Sequence, residues 1–427
     1  MPKLRSRILV WTLTALVAAG GLWSAASAFQ ASGQGPTVQA PKFEVDPMWP
    51  KPLPNHWILG SAVGVAVDSR DHVFVVHLTD SFNTRTEIGA AQDPPTGECC
   101  IPAPNVLEFD AEGNLVGHWG GPGQGFEWPA ENHGISIDPD GNVWIAGSGG
   151  TDTRLLKFTR DGRFLAEIGK KVPVPAPAER AAADTSYQGV APGRAAGRGG
   201  RGGGRGGRGA PPPTAPPNSA SMESFGGAAE ITFDASTGEG FVADGYRNRR
   251  VAVIDFKTGA IKRIWGAFGN APQDQGNAAR QFGTPVHCAE LANDGHVYVC
   301  DRANNRIQVF RKDGAFVKEK VIAPETRGSG SVWDIAFSRD PQQRFLYVAD
   351  GSNMKVHIVD RQSLEVLSSF GTGGRQPGQF FAVHSIATDS RGNVYTTETL
   401  QGKRVQKFLF RGVQAVPRNQ GVVWPSR

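Results

Sequence analysis

Histidine is scarce in this chain, with nine residues in 427, yet three of them share one phase. His133, His287 and His384 each lie eight residues before a turn glycine, at Gly141, Gly295 and Gly392. The stretches read HGISIDPDGNVWIAG, HCAELANDGHVYVCD and HSIATDSRGNVYTTE. Neutral imidazole is a strong ligand for transition metals. Three imidazoles that converge without a fourth protein ligand describe a zinc site with one position open for water or substrate. Whether these three meet depends on the elements that carry them.

Those elements recur as a unit. An apolar strand runs toward an Asp, turns on Asp, Gly or Asn, and continues as a second β-rich strand. A third strand, another Asp-Gly type turn and a strand ending in Trp-Gly or Phe-Gly complete it. Copies start at Val63, His133, Ala229, His287, Trp333 and His384. Alternating apolar and polar residues fit half-buried strands, and the turns carry hairpin chemistry. Four short strands cannot bury both faces alone, but radially stacked units cover one another. The expected fold is therefore an all-β, six-bladed β-propeller over 43–427. Phe43-Glu44-Val45 and Gly421-Val422-Val423-Trp424 compete to supply the strand that closes the last blade.

Residues 1–28 read as a signal peptide: Lys3, Arg5 and Arg7, an apolar run from Ile8 to Leu22, then Ala26-Ser27-Ala28. The run is short for a membrane span, so a secreted or periplasmic protein without a stable span is expected. Residues 29–42 read as a flexible leader. The insertion 172–224, with GRAAGRGGRGGGRGGRG at its centre, has almost nothing apolar to bury and is expected to be disordered. The net charge of +5 is misleading, because the signal segment and this insertion hold the excess cations. The folded body is close to neutral, so no nucleic-acid partner is expected. Cys288 and Cys300 flank one hairpin, where a cross-strand disulfide and two buried thiols both remain open; Cys99 and Cys100 are unassigned.

The repeat resembles the NHL repeat, most clearly in VYVCDRANNRIQVFRKDG (297–314) and FVADGYRNRRVAVID (241–255). In a propeller the first strand of each blade lines the central channel, which places the three histidines at one height on blades 2, 4 and 6. The same positions of blades 1, 3 and 5 hold Val63, Ala229 and Trp333. Asp244, Asp301, Asp350 and Glu398 end the second strands and read as structural carboxylates that fix the following turns.

FEWPAENHGISIDPDGNVW (126–144), FGTPVHCAEL (282–291) and FFAVHSIATDSRGNVY (380–395) together resemble peptidyl-α-hydroxyglycine α-amidating lyase (peptidylamidoglycolate lyase). That resemblance implies a zinc-dependent carbon–nitrogen lyase that cleaves an α-hydroxyglycine to an amide and glyoxylate. The family's tyrosine base falls on Tyr246 in Ala-Asp-Gly-Tyr, and its substrate arginine on Arg302 in Cys-Asp-Arg-Ala-Asn. Departures are equally specific. Leu78 stands where the family has a second arginine, with Arg85 in the following insertion as a substitute. Ala382 replaces a methionine, Arg247 a cysteine, and Ser385 the aspartate tied to an axial calcium. Zinc is thus the expected metal and calcium is not. A small-molecule or peptide substrate and a monomer are expected. The alternatives are a non-catalytic NHL propeller binding a protein or glycan, and a calcium-dependent hydrolase, whose carboxylate site the histidine triad does not match.

Overall fold

The structure, a computed structural model, describes residues 36–174, 214–275 and 280–425. The expected signal peptide and most of the Arg/Gly-rich insertion lie outside the described residues.

Six four-stranded antiparallel sheets stand around one axis. Their inner strands are Ser61–Val67, Asn132–Ile137, Ala228–Asp234, Val286–Leu291, Asp334–Phe337 and Val383–Thr388. Each packs against the inner strand of the next blade, and that of blade 6 packs against that of blade 1. The ring is closed, which leaves no inner sheet edge without a neighbour.

The alternation in the sequence builds cores between blades rather than within them. Ile135, Val143 and Phe158 of blade 2 meet Val63, Phe74 and Val106 of blade 1. Phe241 and Trp265 of blade 3 meet Val286, Val299 and Phe310 of blade 4. Tyr395 and Val405 of blade 6 meet Trp49, Val75 and Phe109 of blade 1. Each fully buried aromatic or aliphatic side chain of this kind stabilises the fold by roughly 1.5–3 kcal/mol.

Closure is settled by the N-terminal segment. Thr37–Asp46 pairs with the long third strand of blade 6, Arg404–Pro417, with Phe43 opposite Phe410 and Val45 opposite Phe408. Residues 37–42, expected as part of a flexible leader, are therefore a strand; Ala40 is buried there and supplies the apolar contact that a leader lacks. The competing tail lies across the seam instead. Gln420 N–H donates to Ser369 O at 2.8 Å, and Val45 N–H donates to Val423 O at 2.7 Å. It staples the outer strand of blade 5, Val366–Phe370, to the strand that completes blade 6.

The insertion also ends earlier than its composition suggests. Residues 214–224 are described and packed: Ala215 and Ser219 are buried. The Arg250 guanidinium donates to the carbonyls of Ser219, at 2.9 Å, and Ser224, at 2.8 Å. Cys288 and Cys300 form a disulfide across the first hairpin of blade 4, and Cys99 is bonded to Cys100.

Candidate metal centre

The inner strands of blades 2, 4 and 6 are bulged where the histidines sit. Pairing jumps from Asn132 to Ile135, from Val286 to Ala289 and from Val383 to Ile386, while the second strand advances by one residue fewer. A bulge sets two residues against one and re-aims a side chain. Here it turns each imidazole toward the axis. All three are buried, with ring centroids 4.8–4.9 Å apart.

Each imidazole is oriented by the next blade. His133 Nδ1–H donates to Ala229 O at 2.9 Å and His384 Nδ1–H to Val63 O at 2.8 Å. His287 Nδ1–H donates to Trp333 O. The acceptors are the main-chain carbonyls at the three positions that match the histidines in blades 3, 1 and 5. A carbonyl can only accept, so every Nδ1 must carry the proton and every Nε2 presents a lone pair. Ligand atoms of the three rings lie within 4.8 Å of one another.

Burial also holds the rings neutral. It draws His133 down to about 4, with the Arg302 charge adding to the effect. Burial and then Arg302 hold His287 well below the usual histidine range; for His384 the order is burial, His133, then Arg302. Neutral rings with the second nitrogen tied to a carbonyl are the form in which histidine binds metal. The donor set therefore fits a divalent cation.

Tyr246 and Arg302 join this cluster from the loops that follow the second strands of blades 3 and 4. The Tyr246 hydroxyl is 2.6 Å from His133 Nε2 and 3.1 Å from His287 Nε2. Burial pushes that hydroxyl up to about 12, opposed by the adjacent Arg302 guanidinium. Arg302 Nε–H donates to Ser329 O at 3.1 Å, and the guanidinium lies 4.4 Å over the Trp333 ring. Among the described residues no carboxylate forms an ion pair with it.

The strand-end carboxylates hold these loops. Asp244 accepts from Gly226 N–H at 2.7 Å, Asn248 at 2.8 Å and Arg250 at 2.7 Å, bracketing Tyr246. Asp301 does the same for Arg302, with Gly283 N–H at 2.8 Å and Arg306 at 2.6 Å. Asp350 and Glu398 are also buried and paired, with His357 at 2.9 Å and Arg404 at 2.6 Å. Arg247 ties the Tyr246 loop to blade 2 through the carbonyls of Gly149 and Asp152.

Leu78 brings no cation toward the imidazoles, and Arg85 is exposed in the insertion. Among the described residues, Arg302 is the cation whose charge bears on all three rings. Neighbouring His77 is structural: Nδ1 accepts from Gly60 N–H at 3.1 Å and Nε2–H donates to Pro104 O at 2.9 Å.

Two features had no signal in the spacing. Trp333 matches the histidine phase but its role depends on where Arg302 falls. Below the histidines, Asp334 and Glu230 hydrogen-bond to each other, with Glu290 close by. Burial holds Asp334 and Glu290 well above the usual carboxylate range. Glu230 and Glu290 line a cavity of about 730 Å³. Ser385 Oγ–H donates to Asp334 Oδ2 at 2.8 Å, so a carboxylate does reach the position where Ser385 supplies none.

Fold and site together define a six-bladed propeller with three histidines on its axis, and residues 287–310 match the NHL repeat family. The chain is similar to peptidylglycine alpha-amidating monooxygenase of Rattus norvegicus, at 25% identity over 94% of this chain and 37% of that protein. It is likewise similar to peptidyl-glycine alpha-amidating monooxygenase of Mus musculus, at 26% identity over 87% of this chain and 33% of that one. The chain thus spans about a third of the length of these curated relatives. Among solved structures, virginiamycin B lyase from Staphylococcus aureus aligns over 83% of this chain and 87% of its own, at 14% identity and a TM-score of 0.43.

Proposed function

We propose that this protein is an exported zinc-dependent lyase that converts an α-hydroxyglycine-type substrate to an amide and glyoxylate. One observation carries the reading: three inward Nε2 atoms, each fixed by a carbonyl of the next blade, with a tyrosine hydroxyl among them and an arginine beside it. The amidating relatives and the lyase-like motifs support the same choice.

His133, His287 and His384 would hold the metal. Zinc held there supplies Lewis acidity that makes a substrate hydroxyl easier to deprotonate. Ionised beside the Arg302 guanidinium, Tyr246 as its phenolate accepts the proton of that hydroxyl, and the freed electron pair closes the aldehyde carbonyl of glyoxylate. The carbon–nitrogen bond breaks, and the amide nitrogen takes up a proton passed back through the phenol. Arg302, which no carboxylate among the described residues neutralises, holds the substrate carboxylate through paired N–H donors. Its charge also stabilises the phenolate that takes the first proton and is regenerated by the second transfer.

Export rests on the N-terminal segment. No helix among the described residues is long and apolar enough to cross a membrane. We take the unit of function to be one chain, since every proposed site residue comes from it.

The test is glyoxylate release from an α-hydroxyglycine peptide. Wild type should release it, and Tyr246→Phe should lose roughly 10²–10⁴-fold in rate while keeping its metal. Full activity in Tyr246→Phe would remove the base assignment. No release by metal-loaded wild type would remove the substrate and leave a metal-binding propeller.

A further inference from the structure

Trp333 touches both halves of the site. Its carbonyl accepts from His287 Nδ1, and its ring centroid lies 6.3 Å from that of His287 and 5.6 Å from that of His384. On its other side the Arg302 guanidinium lies 4.4 Å from the ring centroid. The indole is itself fixed, because Nε1–H donates to Gly330 O at 2.7 Å. The backbone has been cleared for this arrangement. A Cβ at Gly351 would fall 2.6 Å from the Trp333 ring, and one at Gly330 would fall 1.8 Å from Arg302 O. Gly330 also has φ +76°, a conformation that side chains disfavour.

We propose that Trp333 is a positioning residue, whose indole sets how far the Arg302 guanidinium stands from the three imidazoles and in which plane. The inference rests on the lyase reading for what Arg302 holds, but the placement of Arg302 does not. Arg302 has a long side chain with several rotatable bonds, and Ser329 O anchors only its Nε. Tyr246 hydrogen-bonds to the guanidinium from one edge, no carboxylate among the described residues pairs with it, and the flat face of the indole fixes its plane. That plane decides whether two N–H groups can meet one carboxylate. Trp333 thus converts the histidine spacing, set by blades 4 and 6, into a fixed offset between metal and anion.

The test uses zinc-loaded wild type, Trp333→Phe and Trp333→Leu. First, the rate at which phenylglyoxal modifies Arg302 is followed by peptide mass mapping, with exposed Arg85 as the internal standard. Trp333→Leu should raise the Arg302 rate at least about fivefold at unchanged zinc content, and Trp333→Phe should fall between it and wild type. An unchanged Arg302 rate in folded, zinc-loaded Trp333→Leu would overturn the proposal. So would faster modification that occurs only in step with zinc loss, which would mean that Trp333 acts through His287. If Trp333→Leu does not fold, the same comparison is made on Trp333→Phe, where a rate equal to wild type overturns it. Second, glyoxylate-release kinetics should show KM rising about 5–30-fold in Trp333→Leu, with a smaller change in kcat. A wild type that releases no glyoxylate defeats the lyase reading alone, and the modification rates still decide the role of Trp333.

Discussion

Replacing Gly134 by alanine isolates the contact that orients His133 without touching a ligand. A Cβ on Gly134 would lie 2.2 Å from Ala229 O, the carbonyl that accepts from His133 Nδ1–H at 2.9 Å. An ordinary carbon–oxygen contact is about 3.3 Å, so the two strands must part by about 1 Å. That displacement takes the His133 bond out of hydrogen-bonding range. Losing such an outer partner costs about 10–100-fold in metal affinity, or roughly 1.4–2.7 kcal/mol. Separate overpacking should lower stability by about 1–3 kcal/mol. Zinc affinity would be measured by competition with a chromophoric chelator, and stability by denaturant unfolding of the metal-free protein. Gly141→Ala is the control: its φ of +83° makes alanine strained, but nothing lies within 4 Å of the added Cβ. It should lose stability of about 1 kcal/mol and keep its zinc affinity. Equal zinc affinity in Gly134→Ala and wild type would refute the argument that the neighbouring carbonyls prepare the imidazoles.

Two further outcomes follow from the scaffold. The Arg263 guanidinium, with Lys262, holds Glu239 down to about 2. A lowered carboxylate contributes stability above its unfolded value near 4.5 and loses it as pH falls toward about 2. Glu239→Gln should therefore cost roughly 2 kcal/mol at pH 7 in urea unfolding, and the difference from wild type should shrink between pH 4.5 and 2; a constant difference would contradict the ion-pair account. The Cys288–Cys300 disulfide closes a loop of sequence separation 12 and ties the strand of His287 to the strand that leads into Arg302. Cys288→Ala/Cys300→Ala should lose about 3 kcal/mol by denaturant titration, and unchanged stability would show that the crosslink adds nothing.

The fold was legible because the turns repeat. Asp-Gly and Asp-x-x-Gly hairpins in constant phase place strands without knowledge of their neighbours, and they put the three histidines at one height. The bulges at His133, His287 and His384 were not legible, since they depend on how each inner strand meets its second strand. Nor were the carbonyls of Val63, Ala229 and Trp333: a side chain's identity at those positions says nothing about what its backbone accepts. The same reasoning explains Trp333, whose value lies in a cation 31 positions earlier that reaches it from the neighbouring blade. Closure was ambiguous because Phe43–Val45 and Val422–Val423 carry similar apolar signals, and the structure uses both, one as the strand and the other as its staple. Low-complexity composition overran the insertion at its far end, where Arg250 captures three backbone carbonyls that no composition reveals. Tyr246 and Arg302 came from motif likeness alone, and the structure brings both to the imidazoles.

Three histidines on alternate blades are proposed to hold one metal ion. Elemental analysis of the purified protein tests it most directly, on wild type and His287→Ala equilibrated with zinc and then freed of excess. The account predicts close to one zinc per wild-type chain and almost none in folded His287→Ala. Equal zinc in the two proteins, or none in wild type, would contradict it.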